Sequence, residues 1–206
     1  STYSWSYTQP VMQSGAMWTS SHTYKIAARA KDAAIPPNFE VNYATRTFTF
    51  DNQPPITVTT YPANNRAYGV AALGATPLVS PLARGDMSDD AAGISNVKVT
   101  IRDEESGFCF DDVAFAAACP AWRTADTLYK SSWTYSGAMV FTGGHHYVVT
   151  SSGTDIVGNV QASTSPSRFL YDSTAPVAGI SGSGVESLVN GQTYPPDMIF
   201  RGDDSD

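Results

Sequence analysis

The chain has 206 residues, 42% hydrophobic and only 15% charged, with a formal net charge of −7. The acidic balance excludes a nucleic-acid surface, which needs clustered Lys and Arg on phosphates. No apolar run approaches the roughly 20 residues needed to cross a bilayer, so no transmembrane segment is expected in this stretch.

The polar load is carried by Ser, Thr, Asn, Gln and Gly, with 13 Pro and 16 Gly standing between short apolar runs as turn punctuation. Strand formers dominate those runs. "ITVTTYP" (56–62) alternates and stops at proline. "TPLVSPLARG" (76–85) is apolar but broken by prolines, which predicts an edge strand or one that switches sheets. "SNVKVTIRD" (95–103) places Val97, Val99 and Ile101 on one face and Lys98, Thr100 and Arg102 on the other. "VAFAAAC" (113–119) is the one stretch that reads as a turn of helix. "SSWTYSG" (131–137), "HHYVVTSSG" (145–153) and "SRFLYD" (167–172) complete the strands. Many short strands at even spacing predict an all-β sandwich.

The chain also repeats itself. "SWSY" matches "SWTY" (132–135), "TYKIAARAKDAA" matches "HYVVTSSGTDIVGN" (146–159), and "TFTFDNQPPITV" matches "SRFLYDSTAPVA" (167–178). "ARGDMSDD" (83–90) matches "FRGDDSD" (200–206), and the offsets of the four pairs are 128, 123, 121 and 117 positions. The repeat is about 120 residues long. Residues 1–51 then form the second half of one repeat, 52–172 a complete repeat, and 173–206 the start of a third. The two partial copies together lack the counterpart of 91–130, so they do not rebuild a whole repeat between chains, and a longer parent chain is expected.

These residues resemble the immunoglobulin-like tandem repeats of large bacterial surface and secreted proteins. "DSTAPV" at a module start, "SDDAAGISNVKVTI" in its first third, the "SWTY" strand and "HYVVTSSGTDIVGN" before "RFLYD" carry the resemblance. It implies tandem immunoglobulin-like β-sandwiches and a non-enzymatic, extracellular or cell-surface role as a stalk, fibre or surface-layer repeat. The partners implied are neighbouring repeats or copies of the same protein. An adhesin or carbohydrate-binding segment is the alternative. The first copy departs from the pattern, with "KDAAIPPN" (31–38) where Gly-Asn would stand, so a different turn is expected there.

Cys109 and Cys119 are the only cysteines. A close, even pair in an exported chain reads as a local disulfide closing an insert, with two reduced buried thiols as the alternative. Asp86, Asp89, Asp90, Asp155 and Asp172 lie near module ends, where related repeats sometimes bind calcium through several oxygens. The other reading is that they make turns. Arg84-Gly85-Asp86 and Arg201-Gly202-Asp203 occupy matching positions, so the tripeptide is one repeat feature, its glycine permitting a bend. Trp5 and Trp133 match and are expected in the core. Trp18, Trp122 and Phe141 are less constrained by the repeat, and Trp122 is the candidate contact to surface glycans. His145 and His146 are adjacent on a strand and point to opposite faces, so they do not share a metal. Neither a hydrolytic triad nor a glycosidase pair is assembled, "DEES" (103–106) reading as a solvated hairpin.

Overall fold

The computed structural model describes residues 4–73, 82–137, 139–162, 164–180 and 202–205. A helical turn, α1 (Pro10–Gln13), precedes the hairpin of β1 (Thr23–Ala28) and β2 (Ala44–Thr49). Next come β3 (Ile56–Tyr61), β4 (Arg66–Tyr68), a second helical turn α2 (Val70–Leu73), β5 (Ala83–Ser88) and β6 (Ile94–Asp103). The insert holds β7 (Cys109–Phe110), β8 (Phe115–Ala117) and β9 (Arg123–Thr124). The chain continues through β10 (Thr127–Tyr129), β11 (Ser132–Tyr135), β12 (His145–Asp155) and β13 (Ser167–Tyr171). It closes with β14 (Val177–Ile180) and β15 (Gly202–Ser205), an antiparallel pair.

Residues 56–171 form an all-β sandwich. One sheet runs β10-β11-β5-β3 and the other β4-β13-β12-β6-β7-β8, with β9 also on β6. All pairings are antiparallel except β4 with β13. Alternation places the core: Val97, Val99 and Ile101 of β6 are buried while Lys98 and Arg102 are exposed. Tyr147, Val149, Phe169 and Tyr171 add the inner face of the larger sheet, opposite Ala83, Met87, Trp133 and Tyr135. A buried polar clamp ties the sheets. Gln161 Oε1 accepts from the Thr57 amide (2.9 Å) and hydroxyl (2.7 Å), while its Nε2 donates to Thr57 O (3.1 Å).

Three expectations are corrected. Residues 113–119 contain strand β8 paired to β7, because the insert continues the sheet rather than breaking it. β5 is interior, flanked by β3 and β11, so the edge reading fails for its residues, while Pro77 and Pro81, which suggested it, lie outside the described residues. Arg84-Gly85-Asp86 is therefore mid-strand and not a bend. Gly85 is required for another reason: a Cβ there would fall 2.7 Å from the Trp133 ring and against Val58 O.

The β1–β2 hairpin reproduces the β12–β13 hairpin in atomic detail. Trp18, Tyr24, Phe48 and Phe50 pack as Phe141, Tyr147, Phe169 and Tyr171 do. Trp18 meets Tyr24 edge-on at 4.7 Å and 80°, and Phe141 meets Tyr147 at 4.7 Å and 75°. Tyr24 stacks on Phe48 at 5.7 Å and 28°, and Tyr147 on Phe169 at 5.6 Å and 28°. Each tyrosine hydroxyl accepts from the amide five residues earlier, Thr19 at 2.7 Å and Thr142 at 2.8 Å. Ser21 and Gly144, both at positive φ, make the same turn, with their amides donating to Phe50 O and Tyr171 O. In one respect the copies differ. The second cluster is buried by the opposing sheet, whereas the first is only half-covered. Trp5 accordingly corrects the expectation of a second core tryptophan: it is 70% exposed, against 0% for Trp133.

Candidate functional site

One group of polar side chains converges where the β1–β2 unit joins the sandwich. Strand β2 leads through Phe50 into Asp51, whose carboxylate opens an Asx turn by accepting from the Gln53 amide at 3.0 Å. Its other oxygen accepts from the Ala92 amide at 2.9 Å, in the loop after β5. In that loop Asp89 Oδ2 accepts from the Gly93 amide at 2.6 Å. Ser21 reaches across and donates to Asp90 Oδ2 at 2.7 Å.

The third wall is the turn after β12. Asp155 is almost fully buried, yet its Oδ1 accepts from the Gly158 amide (2.6 Å) and the Asn159 amide (2.8 Å). Asn159 Nδ2 donates to Asp155 Oδ2 at 2.7 Å and also approaches Asp51 O and Gln53 O at 3.4 and 3.3 Å. Burial pushes the Asp155 carboxyl up, but the hydrogen bonds from Asn159 and Gly158 outweigh it and hold it below the ordinary 3.8. Gly158 takes φ +98°, a conformation glycine adopts without a steric penalty.

The first copy closes its turn by the same chemistry in a longer loop. Asp32 Oδ1 accepts from the Asn38 amide at 2.8 Å, and Asn38 Nδ2 donates to Asp32 Oδ2 at 2.7 Å. Isolated bridges flank both turns, Lys31 with Phe39 and Thr154 with Val160. The expectation of a different turn therefore holds for length and not for the closure.

Of the five aspartates named for calcium, Asp89 and Asp90 come together. Their carboxylates and that of Asp51 lie within 4.8 Å of one another. Asp89 Oδ1 is buried without a hydrogen-bond partner. Asp86 is an outward residue of β5, Asp155 is engaged in its own turn, and Asp172 accepts from the Thr174 amide at 2.9 Å. Asp51 was not among the five, although its match to Asp172 in the repeat would have identified it.

The carboxylates of "DEES" each meet a basic side chain. His145 Nδ1 donates to Asp103 at 3.0 Å, His146 Nδ1 to Glu105 at 2.9 Å and Arg168 to Glu104 at 2.6 Å. The two histidines serve different carboxylates, as opposite faces of β12 require. Asp103 also caps the hairpin through the Glu105 amide. Burial pushes its carboxyl up, but the hydrogen bonds from His145 and Ser106 hold it below 3.8.

Cys109 and Cys119 form the expected disulfide. It borders a groove of about 660 Å³ on the outer face of the larger sheet, with Thr100, Arg102, Val148 and Arg168. Trp122 is half-buried and is not among the residues that line this groove.

No family model matches the chain, and no curated protein matches it. A solved structure of an engineered protein is similar to it with a TM-score of 0.33 at 15% identity; the match covers 60% of this chain and 22% of that one.

Proposed function

We propose that the chain is a stretch of tandem immunoglobulin-like repeats serving as an extracellular structural element, a stalk or fibre, and carrying no catalysis. The observation that carries this reading is the duplicated hairpin. Two segments 123 positions apart fold into one four-ring cluster, one tyrosine corner and one Asp–Asn turn. Chemistry is not what is duplicated; packing and joints are.

The strand order supports the fold part of the reading. Lettered from β3, the smaller sheet runs A-B-E-D and the larger contains G-F-C, as in constant-type immunoglobulin sandwiches. The joint supports the mechanical part. Asp51, Asn159 and the Ser21–Asp90 contact hold consecutive units through direct hydrogen bonds, with a Pro-Pro pair following at Pro54 and Pro55. Hard divalent cations suit the joint in kind: Asp51, Asp89 and Asp90 would hold calcium, whose charge would offset three close carboxylates and satisfy the orphaned Asp89 oxygen.

Expression of residues 52–172 alone tests the reading. A complete repeat should fold by itself and unfold in one cooperative transition. Failure to fold without 1–51 would sink it. Binding on a glycan array that disappears in Trp122→Ala, with the fold unchanged, would favour the carbohydrate-binding alternative.

A further inference from the structure

The groove beside the disulfide collects positive charge on an acidic molecule. Its floor is the outer face of three neighbouring strands. Val148 of β12 lies opposite Arg102 of β6 on one side and opposite Arg168 of β13 on the other. The two arginines therefore flank one valine, their Cα atoms about 10 Å apart by strand spacing. Thr100 and Thr150, paired across β6 and β12, add two hydroxyls in the next outward row.

Both walls are fixed. On one side Cys109 pairs with β6 directly opposite Arg102, and its disulfide to Cys119 holds the insert along the groove. On the other side the Asn65 amide donates to Arg168 O at 2.6 Å, and Asn64 Oδ1 accepts from the Arg168 amide at 2.9 Å. A smaller pocket of about 270 Å³ shares Asn65 and Arg168 and extends to Arg66 and His146.

The charged residues lining the two are Arg66, Arg102, Glu104, His146 and Arg168. His146 meets Glu105. Arg168 meets Glu104 through Nε, which leaves its terminal guanidinium nitrogens to donate elsewhere. Arg66 and Arg102 form no ion pair among the described residues. The chain carries a net charge of −7, yet two arginines without a carboxylate stand beside a third that holds one. The acidic remainder repels an anion only at long range, and at about 0.1 M salt that repulsion is screened beyond about 10 Å. The local guanidiniums decide the sign of the site.

We propose that this groove binds an acidic polysaccharide through its sugar carboxylates. Three guanidiniums spread over two adjoining pockets suit a chain with repeated charges better than a single ion. Glu104 already seats a carboxylate on Arg168 at 2.6 Å, and the planar fork of a guanidinium matches that group. Thr100, Thr150 and the Asn65 side chain supply hydrogen bonds for ring hydroxyls. Among the described residues no aromatic side chain lines the larger groove, so stacking contributes nothing there and charge carries the affinity. The site does not use Trp122, which lines neither pocket, and it stands without the repeat reading.

The test titrates the 206-residue chain with oligogalacturonate by calorimetry, with neutral dextran and dextran sulfate alongside. A chelator is present throughout, so that no cation bridges the sugar to the carboxylates of the joint. Oligogalacturonate should bind, more weakly as salt rises from about 50 to about 500 mM, and dextran should not. Arg102→Ala should weaken binding more than about tenfold, since it removes a charge-assisted pair. Arg102 is exposed, so its replacement should leave the melting transition in place, which separates loss of binding from loss of fold. Lys98→Ala removes an exposed cation of the same strand that lies outside the groove, and should leave binding unchanged. Absence of oligogalacturonate binding overturns the proposal. So does binding that survives Arg102→Ala or falls equally with Lys98→Ala, and so does tighter binding of dextran sulfate than of oligogalacturonate.

Discussion

Asn159 shows how much of the joint hangs on single side chains. Its side-chain amide closes the Asp155 turn and approaches two linker carbonyls, so truncation leaves one oxygen of a buried carboxylate without its partner and loosens the linker at once. Asn159→Ala should cost about 1–3 kcal/mol in urea unfolding of the full chain. The pH dependence follows from Asp155 and Asp103. Both carboxyls are held below 3.8 in the fold, so each contributes stability that is complete above that value. The contribution is lost as pH falls through the folded value. Acid unfolding of residues 52–172 should therefore steepen below about pH 4, and Asp155→Asn should flatten part of the fall. The Asp155 turn was legible in the sequence because "TDIVGN" carries its acceptor, glycine and amide within six consecutive residues. For Asp51 the sequence offered only its match to Asp172; its partners Ala92 and Asn159 lie far along the chain, and only folding brings them in.

At the scale of elements, β5 and the insert are the informative parts. Gly85→Ala drives a methyl group into the Trp133 ring in the middle of a strand paired on both sides. It should destabilise the sandwich by about 1–3 kcal/mol or more, read as a lowered denaturant midpoint. The disulfide closes a loop with a separation of 10 residues, so removing it as Cys109→Ala/Cys119→Ala should cost about 2–3 kcal/mol. Strands β3, β6, β11, β12 and β13 were readable from alternation because each has one face in the core. Strand β8 was not: "VAFAAAC" is apolar throughout, and its partner β7 is only two residues long, so neither period nor length separates strand from helix.

For the whole molecule, the internal match was visible because its anchors are aromatic and aspartate residues that make the same contacts in both hairpins. What no pattern showed is that the first copy would leave its rings half-covered and Trp5 outside. Burial of a face depends on which sheet lies over it, and the sheet that covers the second copy is built from residues 56–135. Calcium is also tested at this scale. If Asp51, Asp89 and Asp90 hold the ion, millimolar calcium should raise the melting temperature of the full chain, a chelator should reverse it, and Asp89→Asn should abolish the response. A midpoint indifferent to all three would remove calcium from the joint.

The parallel pairing of β4 with β13 has a mechanical consequence. The chain enters the sandwich just before β3 and leaves it just after β13, and β4 lies beside β13 with Phe169 opposite Arg66 and Tyr171 opposite Tyr68. Once tension on the two ends has passed β3, the two parallel strands β4 and β13 are made to slide along each other. Their hydrogen bonds are then loaded in shear, all together, rather than unzipped one at a time. Tension that passes β3 therefore meets its resistance at the β4–β13 pair.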